Sequence, residues 1–418
     1  MKHYDLCVIG SGFAGTAAAI AAARCGASVL LVDKSSALGG AAVNCLVNPF
    51  MKYWMLVDGE KFYLSRGIFL EVVDELAKRK ASTDERRDGF SEETLKRILY
   101  ELTEEAGVDL LFHAYLFKVN KTNDRINSVS VATVGGEMVI EADYFIDATG
   151  DAQLSFLAGC ETTLGREPDH LCQPMTLNFR VANVDVERFL ASKEALNKKY
   201  AEYLNAGKFI NPRENILVFK TPHNGVLHFN TTRVVKKDPT NAIEVTEAEI
   251  IARKQVYEVF DFMKEHADGM ENAYLLMTAP EIGVRESRMI IGDYILTEAD
   301  CKSLQKFDDA IAACNYDIDI HNPEGTGTSH YYFKDGDFYT IPYRSLIPKG
   351  ICNMLVAGRC ISSDHGAQAS YRIMPTVCTI GEAAGTAIAI ASKDGVTTRE
   401  IDIKKLQKTL KDNGAYIG

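Results

Sequence analysis

The chain opens on an apolar strand that runs directly into Gly10-x-Gly12-x-x-Gly15, and no other stretch constrains the fold as strongly. An Ala-rich helix follows from Thr16 to Cys25, then a second strand from Ser28 to Asp33. Gly10 permits a tight turn, Gly12 lets a ligand approach bare backbone, and Gly15 lets helix and strand pack closely. Phe13 and Ala14 complete the turn. The helix N-terminus offers unpaired N–H groups and partial positive charge, which suit a pyrophosphate. Asp33, with Lys34 beside it, places a carboxylate where ribose hydroxyls can be bound. An acid at that position argues against a ribose 2′-phosphate. The order strand, glycine turn, helix, strand, acid predicts an α/β fold with a Rossmann-like dinucleotide domain.

Later segments choose between dinucleotides. A second glycine pair, Gly39-Gly40, precedes Ala41, where an NAD site needs none and the longer FAD needs the chain to pass back over it. A strand from Asp143 ends in Ala148-Thr149-Gly150, a second turn beside the cofactor. Another apolar strand ends in Gly358-Arg359. Pro375 suits a first helical turn and Gly395 a C-terminal stop, so Pro375 to Lys393 reads as a helix. Its small residues, Gly381, Ala383, Ala384, Gly385 and Ala387, allow close packing. Its N-terminus, at Thr376, could face flavin N1 and the C2 carbonyl and favour the charge of the reduced ring.

Together these segments resemble the FAD-dependent oxidoreductases related to the flavoprotein subunits of fumarate reductase and succinate dehydrogenase. A closer resemblance, nearly end to end, is to a bacterial family of FAD-dependent oxidoreductases. It is carried by Gln173-Pro-Met-Thr-Leu-Asn-Phe-Arg180, Phe229-Asn230-Thr-Thr-Arg233, Ile282-Gly-Val-Arg285-Glu286-Ser-Arg288, Asp317-Ile-Asp319-Ile-His321, Ile341-Pro342-Tyr343-Arg344-Ser-Leu-Ile-Pro348 and Ala357-Gly-Arg359-Cys-Ile-Ser362. The resemblance implies FAD and redox chemistry without naming a substrate. The fumarate reductase pattern often carries a flavin-linked His soon after the glycine pair. Here Ala41-Ala-Val-Asn44-Cys45 follows, so noncovalent FAD is expected. The segment Asp364-His365-Gly366-Ala367 to Arg372 only partly matches the flavin-side segment of those relatives.

Of 418 residues, 46% are hydrophobic, enough for a large core and two domains. A net charge of −11 with dispersed Lys and Arg disfavours nucleic acid as a partner. No run reads as a transmembrane helix, and the first strand begins too early for a signal peptide, so a cytoplasmic protein without membrane contact is expected. The ten cysteines form no Cys-x-x-Cys, so buried free thiols are expected, with no metal site.

Residues 1–160 and 345–418 read as the FAD-binding domain and 161–344 as an inserted α+β substrate domain. In the first, Ser91 caps a helix, and a strand through His113 leads to Leu116, the position expected to meet adenine. A hairpin follows around Gly135-Gly136. In the insertion, Met175 to Val181 and Gly225 to Val235 read as strands. Thr246-x-x-Glu249 has the form of a capping box starting a helix to His266, with Ile250, Tyr257, Phe260 and Met263 near one face.

The chemistry requires groups that orient a substrate, hold charge and move a proton. Arg285 and Arg288 would share a face if their segment is helical. His321 stands where a strand gives way to a loop, and His330 in a Gly-rich loop that could close over a substrate. Arg344, Arg359 and Arg372 are candidate flavin or substrate contacts, as is His365. These readings converge on a FAD-dependent oxidoreductase exchanging a hydride with a small polar molecule, an organic acid or a hydroxylated, sugar-like compound. The electron acceptor and the oligomeric state stay open. A FAD-binding structural or assembly protein without turnover is the alternative.

Overall fold

The computed structural model describes residues 3–83, 88–167 and 169–418. Its main sheet is built on five parallel segments. Their order across the sheet is Asp109–Leu111, Val29–Val32, Tyr4–Ile9, the second half of Gly136–Asp147, and Met354–Val356. The runs are almost wholly apolar because a parallel sheet is covered on both faces. Gly136–Asp147 is one continuous strand. Its first half pairs antiparallel with Arg125–Thr133, which pairs with Tyr115–Thr122, and its second half enters the parallel sheet beside Tyr4–Ile9. The expected hairpin and the strand ending at Asp147 are therefore a single element. His113 is not a strand residue. It follows the strand Asp109–Leu111 with φ +56, in a left-handed turn whose N–H donates to Ser35 O at 3.2 Å.

The first helix, Phe13–Arg24, begins three residues earlier than the sequence suggests and is buried from Phe13 through Ala22. Burial on all sides explains its alanines: they favour the helix and keep its surface thin enough for the sheet and a second helix. That second helix is Met374–Asp394, closed at Gly395 in the left-handed conformation. A Cβ at Gly381 would lie 2.0 Å from Ala14 O, and one at Gly385 2.0 Å from Ala18 O. The two backbones touch. Both pairs advance together along the chain, so the helices run parallel and their N-termini point the same way. The second begins about 9 Å beyond the first, at 1.5 Å per residue. By length and composition Met374–Asp394 could cross a membrane, contrary to expectation, but its apolar window is completely buried in the core.

A second core gathers residues from Met175 to Ile282 around a four-stranded antiparallel sheet. Its order is Val218–Lys220, Leu227–Phe229, Phe179–Ala182 and Tyr274–Thr278. Helices Val186–Asn205 and Ala242–His266 pack on it. The latter starts before the expected capping box: Asn241 is the cap, its side chain accepting from the N–H groups of Ile243 and Glu244. Thr246 lies inside the helix and donates to Ala242 O. The buried face runs through Ala252, Val256, Val259 and Met263, while Ile250 and Tyr257 are exposed. Residues beyond this core, including Ile311, Tyr339, Ile341 and Tyr343, join the first core instead.

Glu382 lies in the contact helix, is buried, and accepts the N–H of Ile68 at 3.0 Å. Burial pushes its carboxyl up to about 7. The folded state therefore holds this proton more tightly than the unfolded chain. The stabilisation is complete below the ordinary carboxyl range and is lost as pH rises toward 7, a difference of about 3 kcal/mol. Glu382→Gln keeps the acceptor without the charge. Urea midpoints should show the variant more stable than the parent at pH 8, with the gap closing toward pH 4; parallel curves would contradict this assignment.

Candidate functional site

Gly10, at φ +102, leaves no space for a side chain: a Cβ would lie 2.4 Å from Ala148 O. A Cβ at Gly15 would lie 1.8 Å from Gly10 O. These glycines are required by the fold. Gly12 differs. It has an ordinary φ of −63, and a Cβ there meets nothing within 4 Å. Gly39 forms a parallel bridge with Gly12, and a Cβ on Gly40 would lie 2.7 Å from Gly12 Cα. The glycine pair thus presses on the first turn, and Ala41–Asn44 continues from it as a short helix.

Neither Phe13–Arg24 nor Met374–Asp394 has a side-chain cap or an acid in its first turn. Both N-termini are buried, Phe13 to Gly15 in one and Met374 to Thr376 in the other. A buried helix end without a partner signals a ligand. Two such ends, parallel and offset by about 9 Å, form an extended cradle with positive potential along it. Thr376 is in the second first turn, its hydroxyl 3.5 Å from Cys314 Sγ.

Beyond the first helix, a cavity of about 110 Å³ lies at the carboxyl ends of the strands. Gly10, Asp33, Lys34, Leu116, Thr149 and Asp151 are among its walls. Asp33 accepts N–H bonds from Ser11 and Ser35, which fixes its carboxylate at the rim. The Ala148-Thr149-Gly150 turn hangs on buried Asp147, which accepts from Thr149 Oγ1 and Ser155 Oγ, both at 2.7 Å. Sequence reasoning treated Asp147 only as part of the strand. Gly150 sits at φ +77, a left-handed conformation that favours glycine, and the Arg359 guanidinium fills the space beside it. Arg359 pairs with Asp151 at 2.6 Å, and Gly358 lies against Ala14.

The strongest charge lies where the two cores meet. Asn178 of the insertion donates to Cys45 O, and a Cβ at Gly283 would lie 3.6 Å from Cys45 Cβ. Two residues on, Arg285 donates to Pro174 O and to Thr176 Oγ1 at 2.6 Å. Arg285 is surrounded by protein, though the residue is not wholly closed off from solvent. Burial and the neighbouring Arg372, Arg213 and Arg233 all work against its charge. Asp319 and Glu214 are carboxylates set against these four cations, and buried Glu286 joins the same network through Gln173. Positive charge therefore exceeds negative, and the Nε atoms of Arg213 and Arg372 are buried without a partner. An enclosed surplus of this kind calls for an anion.

Hydrogen bonds assign the remaining candidates. Arg233 is nearly inaccessible and fully engaged. It donates to Gly325 O, Gly327 O and Thr328 Oγ1, and its Nη2 is 3.2 Å from His321 Nδ1. Since a guanidinium only donates, His321 carries its proton on Nε2, which faces Asp319 Oδ2 at 3.3 Å. Burial and the nearby Arg285 push His321 down to about 3, so it is neutral near pH 7. His330 is not in the Gly-rich loop but in the strand Thr328–Tyr331, paired with Ile318–His321 and exposed. Arg372 donates to Gln173 Oε1 and Asp319 O. His365, Gln368 and Arg372 lie on one side of the segment that begins with the helix His365–Tyr371. His365 Nδ1 is 2.7 Å from Glu286 Oε1, and Gln368 donates to Arg285 O.

Two candidates lie elsewhere. Arg285 and Arg288 do not share a helical face: Arg285 is in a loop, whereas Arg288 begins a strand and stacks over Phe156 at 4.1 Å. Arg344 pairs with Asp309 at 2.9 Å and leans on Tyr294. The cluster also contains Gln173, Arg213, Arg233 and Tyr316, which sequence reasoning did not single out as site residues. Only the Gln173 and Arg233 segments gave a signal, through the resemblance.

The family model described as FAD dependent oxidoreductase matches residues 5–410. Digeranylgeranylglycerophospholipid reductase 1 of Methanococcoides burtonii is 28% identical over 199 residues, 44% of this chain and 46% of that protein. The match thus spans under half of that relative's length. A soluble pyridine nucleotide transhydrogenase of Mycobacterium tuberculosis is 52% identical over 44 residues, 10% of this chain and 9% of its own. Among solved structures, a geranylgeranyl bacteriochlorophyll reductase-like protein from Thermoplasma acidophilum superposes with a TM-score of 0.48 at 13% identity, covering 99% of this chain and 85% of that one. The p-nitrophenol 4-monooxygenase of Pseudomonas putida gives 0.49 at 10% identity, covering 96% and 83%.

Because a side chain at Gly12 meets only open space, Gly12→Asp should fold normally and fail only at the ligand. The expected result is an unchanged thermal midpoint for the flavin-free protein together with loss of FAD from the purified variant. Full FAD occupancy would contradict the placement of the pyrophosphate.

Proposed function

The chain belongs to the FAD dependent oxidoreductase family, and from that membership we propose that it exchanges a hydride between flavin N5 and a small organic acid held in the arginine-lined cleft. The chain is a FAD-dependent enzyme, and its cradle fits that cofactor: two uncapped, buried helix ends and a Gly12 with open space before it. Phe13 to Gly15 would hold the pyrophosphate, Asp33 and Leu116 the adenosine end, and Met374 to Thr376 the flavin end. Bound FAD supplies two-electron redox chemistry; the polypeptide supplies orientation, charge and proton handling.

The observation that carries the organic-acid reading is the surplus of guanidinium charge around Arg285. Arg233 is committed to the hairpin loop and holds it in place. Arg285 and Arg372 are only partly buried and are the groups proposed to clamp a carboxylate. Gln173 links Arg372 to Gln368, and Gln368 holds the carbonyl of Arg285. The two guanidiniums are therefore fixed relative to each other before any ligand arrives. Such preorganisation lowers the cost of binding. A hydroxylated, uncharged substrate would leave the positive charge uncompensated, so the acid is preferred. The electron acceptor that restores the flavin is left open.

The test is anaerobic bleaching of the flavin by a panel of succinate, malate, lactate, glycolate and neutral polyols. Acids should bleach the spectrum and polyols should not. Arg285→Gln should retain FAD while binding the active acid roughly 10- to 100-fold more weakly, the loss of one or two charge-assisted hydrogen bonds. Bleaching by polyols alone, or an Arg285→Gln variant of unchanged affinity, would refute the reading.

A further inference from the structure

The helix Ala242–His266 covers the second core with the face that runs through Ala248, Ala252, Val256, Val259 and Met263. A helix with one face buried ordinarily shows water a polar surface on the other. This one interrupts that surface with three large apolar residues. Ile243, Ile250 and Tyr257 are 73%, 52% and 57% exposed. They are spaced by seven residues, close to two turns, so they fall on one stripe at intervals of about 10 Å. Ile250 stands nearly opposite buried Ala252 on the helix, so the stripe points away from the core.

The flanks of the stripe differ. Glu247 and Lys254 each follow an apolar position by four residues, which puts them on the same flank, and both are exposed. On the other flank Arg253 donates to Thr278 Oγ1 and ties the helix to Tyr274–Thr278, the edge strand of the insertion's sheet. Tyr274 and Leu276 of that strand are exposed as well. The strand pairing skips Leu276, however, where the register shifts opposite Arg180 and Val181. A bulge of this kind resists addition of another strand. The helix stripe, not the sheet edge, is therefore the surface suited to a partner.

We propose that this stripe is the contact between two copies of the chain, packed antiparallel about a two-fold axis through Ile250. A two-fold contact requires one surface that is complementary to itself, and the stripe has that pattern. Ile250 meets its own copy at the axis. Ile243, seven residues before it, meets Tyr257, seven residues after it, and does so twice. The same rotation sets Glu247 of one copy against Lys254 of the other, again twice, because they stand on one flank at nearly equal distances from the axis. A lipid surface would call for lysine and arginine beside the apolar stripe, whereas Glu247, Asp261 and Glu265 are exposed there. The three apolar side chains and their charged neighbours expose roughly 600 Å² per copy, so the pair buries about 1,200 Å², the lower edge of stable specific interfaces. The proposal is independent of the organic-acid reading, since the stripe belongs to the outer side of the insertion.

The test is sedimentation equilibrium of the purified protein between about 1 and 100 μM, where an interface of this size associates. The parent should pass from monomer to dimer across that range. Ile250→Arg should stay monomeric throughout and keep the parental thermal midpoint, because the side chain it replaces is exposed. Glu247→Lys and Lys254→Glu should each weaken the dimer about 10-fold, through two repulsive contacts in place of two attractive ones. The double variant should recover the parental dissociation constant, because opposite charges face each other again. A parent that is monomeric at the highest concentration, a dimer that Ile250→Arg leaves intact, or a double variant no tighter than the single ones would overturn the proposal.

Discussion

The architecture depends on one backbone contact. Gly381 and Gly385 bring Met374–Asp394 onto Ala14 and Ala18, closer than any side chain would allow. Because the two helices run parallel, two sets of unpaired N–H groups open on the same side of the sheet, one set farther out than the other. Neither end is capped by a side chain, and both are buried. A protein leaves such donors unmatched only where something else matches them. The distance between them suits an elongated ligand with an anionic middle and an electron-accepting end, which is what FAD is. The other glycine turns serve this arrangement: Gly10 and Gly15 set the first helix against the sheet, and Gly40 presses on Gly12.

The insertion adds the second requirement. It contributes Gln173, Thr176, Asn178, Arg213, Arg233 and Arg285, and it meets the first core at Cys45, just past the glycine pair. The cations are therefore brought beside Arg372, two residues before Met374–Asp394, by strand pairing within the insertion and by its hydrogen bonds to the segment 44–45. Hydrophobic burial forms each core, but the polar network of Gln173, Gln368, Glu286 and Arg372 fixes how they meet. Breaking such a network leaves buried charge unpaired, which costs far more than an exposed ion pair would.

Much of the cradle was legible in the sequence because local rules specify it. Gly10, Gly15, Gly40 and Gly395 are glycines for steric or left-handed reasons that a motif reader can anticipate, and Met374–Asp394 departs by one residue at each end from its expected limits. The insertion was less legible. Thr246 looked like a cap, yet the helix starts five residues earlier at Asn241, whose side chain accepts from the N–H groups of Ile243 and Glu244, while the Thr246 hydroxyl turns back to Ala242 O. Arg285 and Arg288 are three apart, but no helix carries them to one face; a strand pairing with Thr162–Leu164 sends Arg288 outward. Tyr316, Arg213 and Arg233 come together from three distant segments, and only long-range pairing reveals that convergence.

The most direct measurement is a crystal structure of the protein purified with its flavin. The account predicts the pyrophosphate at the N–H groups of Phe13 to Gly15 and the isoalloxazine ring at the start of Met374–Asp394, with its reactive edge turned toward Arg285. A flavin bound elsewhere, or a ring that leaves the N-terminus of Met374–Asp394 without a partner, would contradict it.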